Sequence, residues 1–206
     1  MADPGNTRRH SSDDVAETAL RLLDEYGLPD LTMRHLATTL GVQPSALYWH
    51  FPNKQALLAA VSARILAPLA QTPLEGLTLP EAVTALGSRM RECLLTYRDA
   101  AELVSSSLAL DLVPSPVLTP LQEVARRRGD QVALAEVAAE VLVHFVVGRV
   151  FHEQQRRTAD SLGLLDGAGS LTPETTDAAG DEHTFDRALA MIADGLAVSG
   201  ARTGGP

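Results

Sequence analysis

The chain has one cysteine, Cys93, so it can close no internal disulfide, which fits a reducing cytosol. Aromatic residues make up only 4% of the sequence against 45% hydrophobic residues in all, so the core is aliphatic. Strand-like alternation of β-branched residues is also missing, and an all-α fold is expected. No apolar run reaches the roughly 18 residues that a membrane span needs. Residues Met1–His10 lack the apolar stretch of a signal peptide. These absences point to a cytoplasmic protein without a membrane partner. Catalytic signatures are lacking too: there is no Gly-rich phosphate loop, nucleophile elbow, His-Glu-x-x-His pattern or cysteine pair. Ser105-Ser106-Ser107 has no flanking glycine and no Cys/His partner pattern. An enzyme is therefore not expected, nor a cofactor.

The net charge of −9 is unevenly spread. Residues 1–64 hold six Lys/Arg and seven Asp/Glu, a balance of −1, whereas residues 65–206 hold eleven and nineteen, a balance of −8. The acidity thus sits away from the N-terminal quarter, which carries the most legible motif.

That motif is Leu31–Asn53, LTMRHLATTLGVQPSALYWHFPN. A short helix over about Met33–Leu40 carries Leu36, Ala37 and Leu40 on one side and stops at Gly41, a residue suited to a left-handed C-cap. A second short helix starts with Pro44 in its first turn, where a missing N–H costs nothing. It buries Leu47 and Phe51 and leaves Gln43, Ser45, Tyr48, Trp49 and His50 as a polar and aromatic face. Two short helices joined by such a turn form a helix-turn-helix, whose second helix fits the major groove of B-DNA.

The block Leu47-Tyr48-Trp49-His50-Phe51, followed by Asn53-Lys54 and Leu57-Leu58, resembles the DNA-binding domain of the tetracycline repressor (TetR) family. Ala37-x-x-Leu40-Gly41-Val42 fits as well, as does the upstream helix Glu17-Thr18-Ala19-Leu20-x-Leu22-Leu23 with Tyr26-Gly27. The likeness runs from about Val15 to Val61 without a gap. It implies an N-terminal helix-turn-helix domain, a larger helical domain for ligand binding and dimerisation, and a double-stranded DNA operator as partner.

The chain divides accordingly. Residues 1–11 read as a disordered arm, 12–66 as the DNA-binding domain, 67–200 as the ligand-binding and dimerisation domain, and 201–206 as a disordered tail. Ser11 and Asp14 make a capping-box-like start, with Asp in place of the usual Glu/Gln. The first helix then places Val15, Ala19, Leu22, Leu23 and Tyr26 on one stripe. Lys54 to about Ala67 is a fourth helix. Further helices are expected over Pro80–Tyr97, Ala100–Leu112, Pro116–Arg128, Gln131–Arg157 and Phe185–Val198. The Gly-, Ser- and Thr-rich stretch over about 159–183 reads as a flexible loop. The long apolar helix with Val132, Val137, Val141, Phe145, Gly148 and Phe151 is too apolar for a solvated surface. An isologous homodimer would bury it, as would packing inside one subunit. The segments His144–Gly148 with Glu153-Gln154-Gln155, and Phe185 to Leu196, look like the dimer-forming helices of the tetracycline repressor.

The resemblance assigns roles residue by residue. Tyr48, His50 and Lys54 match positions that hold phosphates. Thr32 and Arg34 open the first helix of the motif, where contact with DNA is expected, and Thr32 also suits a cap. Gln43, Pro44, Ser45 and Ala46 fall where the family reads base edges; Gln43 can pair with adenine, or cap its helix. Trp49 is placed half in the core and half in the groove. Further phosphate contact would come from Arg8 and Arg9. A ligand pocket is expected among Met90, Leu94, Leu103, Val104, Leu108, Leu112, Val141, His144, Phe145, Gly148, Phe151 and His152, although each apolar member more often serves as plain core. His144 and His152 alone are too few to define a metal site, and they suit polar groups in a pocket or at a dimer seam. Aligning Arg98-Asp99 with the tetracycline repressor's Arg-Asp pair puts Val104 at its metal-binding His and His152 at its Glu, so a magnesium-tetracycline chelate is not the expected effector. The resemblance implies repression at a palindrome, relieved by a small, mainly apolar compound. A ligand-independent regulator or an activator is the alternative.

Overall fold

A computed structural model describes residues 10–130, 132–161 and 178–203, without the side chains at 178, 179, 181 and 201–203. Among the described residues the fold is nine α-helices and one 3-10 turn, with no strand. Residues 1–9 of the expected arm, including Arg8 and Arg9, lie outside them, as does most of the expected loop.

The first four helices are α1 (Ser12–Tyr26), α2 (Met33–Leu40), α3 (Pro44–Leu47) and α4 (Lys54–Leu66). Their ends are set by local chemistry. Ser11 Oγ accepts the Asp14 N–H at 3.1 Å and the Asp14 carboxylate accepts the Ser11 N–H at 2.8 Å, so Asp closes the capping box. Thr32 Oγ1 accepts the His35 N–H, and Asn53 Oδ1 accepts the Ala56 N–H. Gly41 ends α2 at φ 68°, and its N–H and that of Val42 close on Thr38 O and Ala37 O. Val15, Ala19, Leu22, Leu23, Leu36, Leu47, Phe51, Leu57 and Val61 form the enclosed core of this domain.

The larger domain holds α5 (Leu79–Leu95), α6 (Ala100–Ala109), α7 (Leu118–Arg128), α8 (Val132–Ser161) and α9 (Ala178–Thr203). Helix α5 packs against α7, α8 and α9, and α6 lies between α4 and α8, so α6 joins the two domains. At Gly87 of α5 an added Cβ would stand 2.8 Å from Leu189 Cδ1 and 2.9 Å from Leu142 Cδ1; glycine lets the three helices approach.

Several expectations need correction. Tyr26 is 44% exposed rather than on the buried stripe; as the last residue of α1 it lies against the His35 ring, centroids 5.1 Å apart. Helix α6 stops at Ala109, because Asp111 turns left-handed (φ 52°) and the Leu112 N–H closes on Ser107 O. The loop edges are helical: α8 runs through Ser161 and α9 begins at Ala178. The arm is tied at its end, with His10 Nε2 3.2 Å from Leu40 O and Ser11 capping α1. The tail expected from residue 201 starts as helix, through Thr203.

Candidate nucleic-acid interface

Helix α3 is a single turn. Pro44 opens it, Leu47 is buried beneath it, and the chain then bends through Tyr48–His50 so that Phe51 also enters the core. Two inward anchors four residues apart fix the intervening turn, and everything between them faces out. Gln43, Pro44 and Ser45 are exposed, and Ala46 is half-buried. Gln43 occupies the N-cap position, yet its side chain makes no cap hydrogen bond, so the amide is not committed to the helix.

Trp49 corrects the sequence expectation. It is 90% exposed and takes no part in the core. A side chain that large, left in water beside an exposed Tyr48, forms an apolar and aromatic projection at the head of the domain. His50 is exposed and its Nδ1 stands 3.2 Å from Ser12 Oγ, tying this turn to the start of α1. Thr32 is exposed and its hydroxyl caps α2, so the capping half of its expected role is observed. Arg34 is exposed on the first turn of α2, and Lys54 is half-buried at the first position of α4. The structure thus brings Thr32, Arg34, Gln43, Pro44, Ser45, Tyr48, Trp49, His50 and Lys54 into one helix-turn-helix unit. Sequence reasoning missed the contribution of His10 and Ser12, whose side chains brace it.

The expected ligand pocket divides. Met90, Leu94 and Val104 are fully enclosed, with Leu103 beside them, and Leu108, Phe145 and Phe151 pack against that core. Phe145 stacks on Phe185 at 5.3 Å. Val141, His144 and His152 are exposed, and they are corrected from pocket to surface. With Val137 and Gly148 they recur at helical spacing along the outside of α8, away from α5 and α6. Leu112 is also outside the core, 38% exposed. Among the described residues two clefts measure about 290 Å³ and about 110 Å³. The first lies where Asp24, Arg98, Asp99, Gln154 and Arg157 meet, the second between Arg64, Arg89, Cys93 and Tyr97; neither is lined by the expected pocket residues. The Cys93 thiol is buried and burial pushes its pKa up, which makes it a poor nucleophile. Among the described residues no cluster of His, Cys, Asp or Glu could hold a metal ion, and no helix is long and apolar enough to cross a membrane.

Comparison with known proteins decides the family. The domain described as bacterial regulatory proteins, tetR family, matches residues 15–61. The class A tetracycline repressor of Escherichia coli is 34% identical over 200 residues, covering 89% of this chain and 88% of that protein. The chain belongs to the TetR family. Its two-domain helical fold agrees with solved TetR-family structures. BioQ of Mycobacterium smegmatis is 34% identical, with a TM-score of 0.78 over 92% of this chain and 98% of that one. A tetracycline repressor variant from Acinetobacter baumannii, solved with minocycline, is 30% identical, with a TM-score of 0.72 over 93% and 98%. As a member of the TetR family the chain is a DNA-binding transcriptional regulator.

Proposed function

We propose that this TetR-family regulator is a cytoplasmic repressor without enzymatic activity, that it binds a palindromic operator as a homodimer, and that a small, mainly apolar effector releases it. The observation that carries the reading is the outward face of the α3 turn. Gln43 has an uncommitted amide and Trp49 is 90% exposed, while Leu47 and Phe51 hold the backbone rigid beneath them. Gln43 then reads a base edge and Ala46 touches a thymine methyl, with Tyr48, His50, Arg34 and Lys54 on phosphates. A similar BioQ has been solved on its natural double-stranded operator, which supports DNA duplex as the partner.

Dimerisation is supported by faces without a partner in one subunit. Val137 is 57% exposed and Val141 44% on α8; Met191 is 75% exposed and Val198 59% on α9. Gly148 and Gly195 have open space where a Cβ would stand, so a second copy can approach their backbones closely. A two-fold pairing of these faces presents two recognition turns to successive major grooves.

The effector reading rests on relatives and on one buried group. The minocycline complex above, and a complex of the Streptomyces coelicolor protein ActR with (S)-DNPA, show small molecules bound by similar proteins. In this chain Arg91 lies over the Phe185 ring at 5.1 Å, and its Nε is buried without a hydrogen-bond partner among the described residues. An aromatic compound carrying an acceptor would satisfy it. Val104 offers no metal-ligating atom, so the magnesium chelate remains excluded from the proposal. A second reading, ligand-independent DNA binding, is favoured by the closed core: Met90, Leu94 and Val104 are 0% exposed. Selection of bound duplexes from a random pool, followed by mobility shifts with aromatic drugs and metabolites, tests both. A palindrome released by one compound class supports the first reading, and a palindrome that no compound disturbs supports the second. Selection of no palindrome refutes the dimeric operator.

A further inference from the structure

The connection between α5 and α6, residues Thr96–Asp99, is held from both sides. On one side stands Gln154 of α8, 8% exposed. Its Nε2 donates to Leu94 O and Tyr97 O, each at 2.9 Å, and its Oε1 accepts the Ala101 N–H at 3.2 Å. On the other side stands the DNA-binding domain. Asp24 Oδ1 of α1 accepts the Arg98 N–H at 3.2 Å, and Asp99 Oδ2 accepts the Leu28 N–H at 2.9 Å.

Asp99 is out of character for its position. It precedes the first residue of α6, where an Asp ordinarily accepts an N–H of its own helix. Here its side chain makes no cap bond, and its backbone is left-handed at φ 53° and ψ 16°, an uncommon state for a residue with a Cβ. Gln154 from α8 supplies the missing acceptor through Ala101. The Asp99 carboxylate is therefore free to reach the other domain. Gly27 makes room for it: a Cβ there would stand 2.7 Å from Asp99 Oδ2, and Gly27 itself sits at φ +85°. The cleft of about 290 Å³ opens over the same residues, so this joint borders solvent and has space to shift.

We propose that Gln154 and Asp99 are positioning residues for operator binding. Gln154 sets the Thr96–Asp99 turn from α8, and Asp99 transmits that setting to Leu28 and so to the angle at which α1–α3 meets DNA. Neither residue belongs to the DNA-contacting set. The two-half-site part of this inference rests on the dimeric operator reading above.

The test uses the full-length protein and a duplex selected by it, with variants of that duplex in which one base pair is inserted or removed between half-sites, and a single-half-site duplex. Asp99→Ala and Gln154→Ala are expected to reduce the preference for the native spacing by about fivefold or more. Single-half-site affinity should stay within about twofold, as expected for sites without shared contacts. Asp99→Asn keeps an acceptor oxygen and should restore most of the preference. An unchanged spacing preference, or an equal loss on the half-site duplex, overturns the proposal. A second measurement needs no DNA. Amide exchange at Leu28 in the folded protein should accelerate about tenfold or more in Gln154→Ala, although Gln154 does not touch Leu28. Equal protection overturns the proposal. If the wild type shows no spacing preference, the dimeric operator reading fails, and Leu28 exchange alone then decides the joint.

Discussion

Lys54 is the only lysine in the chain, and its position makes an unusually clean experiment. It occupies the first position of α4, directly after the Asn53 cap, and no carboxylate pairs with it among the described residues. A cation at a helix N-terminus meets the positive end of the dipole, at a cost of a few tenths of a kcal/mol. Lys54→Gln should therefore leave the melting temperature unchanged or slightly raised. DNA binding should move the other way. Each phosphate contact contributes about 0.9 to the slope of log affinity against log salt, so two subunits together lose about 1.8. Between about 50 and 200 mM salt, the wild-type advantage should then shrink roughly tenfold. Fluorescence anisotropy with the selected operator at several salt concentrations measures this. Acylation by an amine reagent gives an independent check, since only Lys54 and the α-amino group react, and operator should protect Lys54. An unchanged salt slope, or equal acylation with and without DNA, would refute the phosphate contact.

Tyr48→Ala and Trp49→Ala remove side chains that are 51% and 90% exposed, so stability should stay within about 0.5 kcal/mol while operator affinity falls by roughly tenfold or more; wild-type affinity would take either residue off the contact surface. Gly148→Arg should leave the monomer folded, because nothing lies within 4 Å of the added Cβ, but should abolish dimers in sedimentation; a persisting dimer would place the interface elsewhere. Gly87→Ala forces a Cβ to 2.8 Å from Leu189, an overpacking cost of about 1–3 kcal/mol only partly offset by alanine's helix propensity of about 1 kcal/mol. A net loss of about 1 kcal/mol would lower the melting temperature by roughly 2–4 °C, and a rise would show that the three helices yield freely. Chelator should leave operator binding intact; its loss would revive a metal role for His144 and His152.

The sequence was most legible where chemistry is local. Ser11, Thr32, Gly41, Pro44 and Asn53 each act within four residues of themselves, and the starts of α1 to α4 and the end of α2 fell where those residues put them. Trp49 was misplaced only in part. The helix pattern already put it on the outward face, and its half-core placement fails because α3 is one turn long and only Leu47 and Phe51 turn inward there. The apolar face of α8 was legible as one needing cover, by a second copy or within the subunit, but the helix is apolar on most of its circumference and such a pattern does not say which side meets α5. Val141, His144 and His152 were therefore also counted toward the pocket, and they lie on the outward side. The joint at Asp99 was hidden by distance: Leu28 lies 71 residues from Asp99, and Gln154 lies 53 from Ala101.

Charge and geometry together explain why such a joint matters in this chain. The N-terminal part carries a balance of −1 and the remainder −8, so no long-range field pulls the protein as a whole toward DNA. Each head offers few cations, and a single head with so few phosphate contacts binds weakly. Useful affinity must then come from engaging two half-sites at once, where the second contact is made at high effective concentration only if the span is right. The weaker each head is alone, the larger the share of the total that depends on the angle between head and body. A strongly basic recognition domain would tolerate a loose joint. This chain has a thin basic patch, a left-handed Asp99 whose carboxylate is given to the other domain, and a Gly27 that leaves space for it. Loosening the joint should therefore cost this regulator specificity for operator spacing well before it costs the fold.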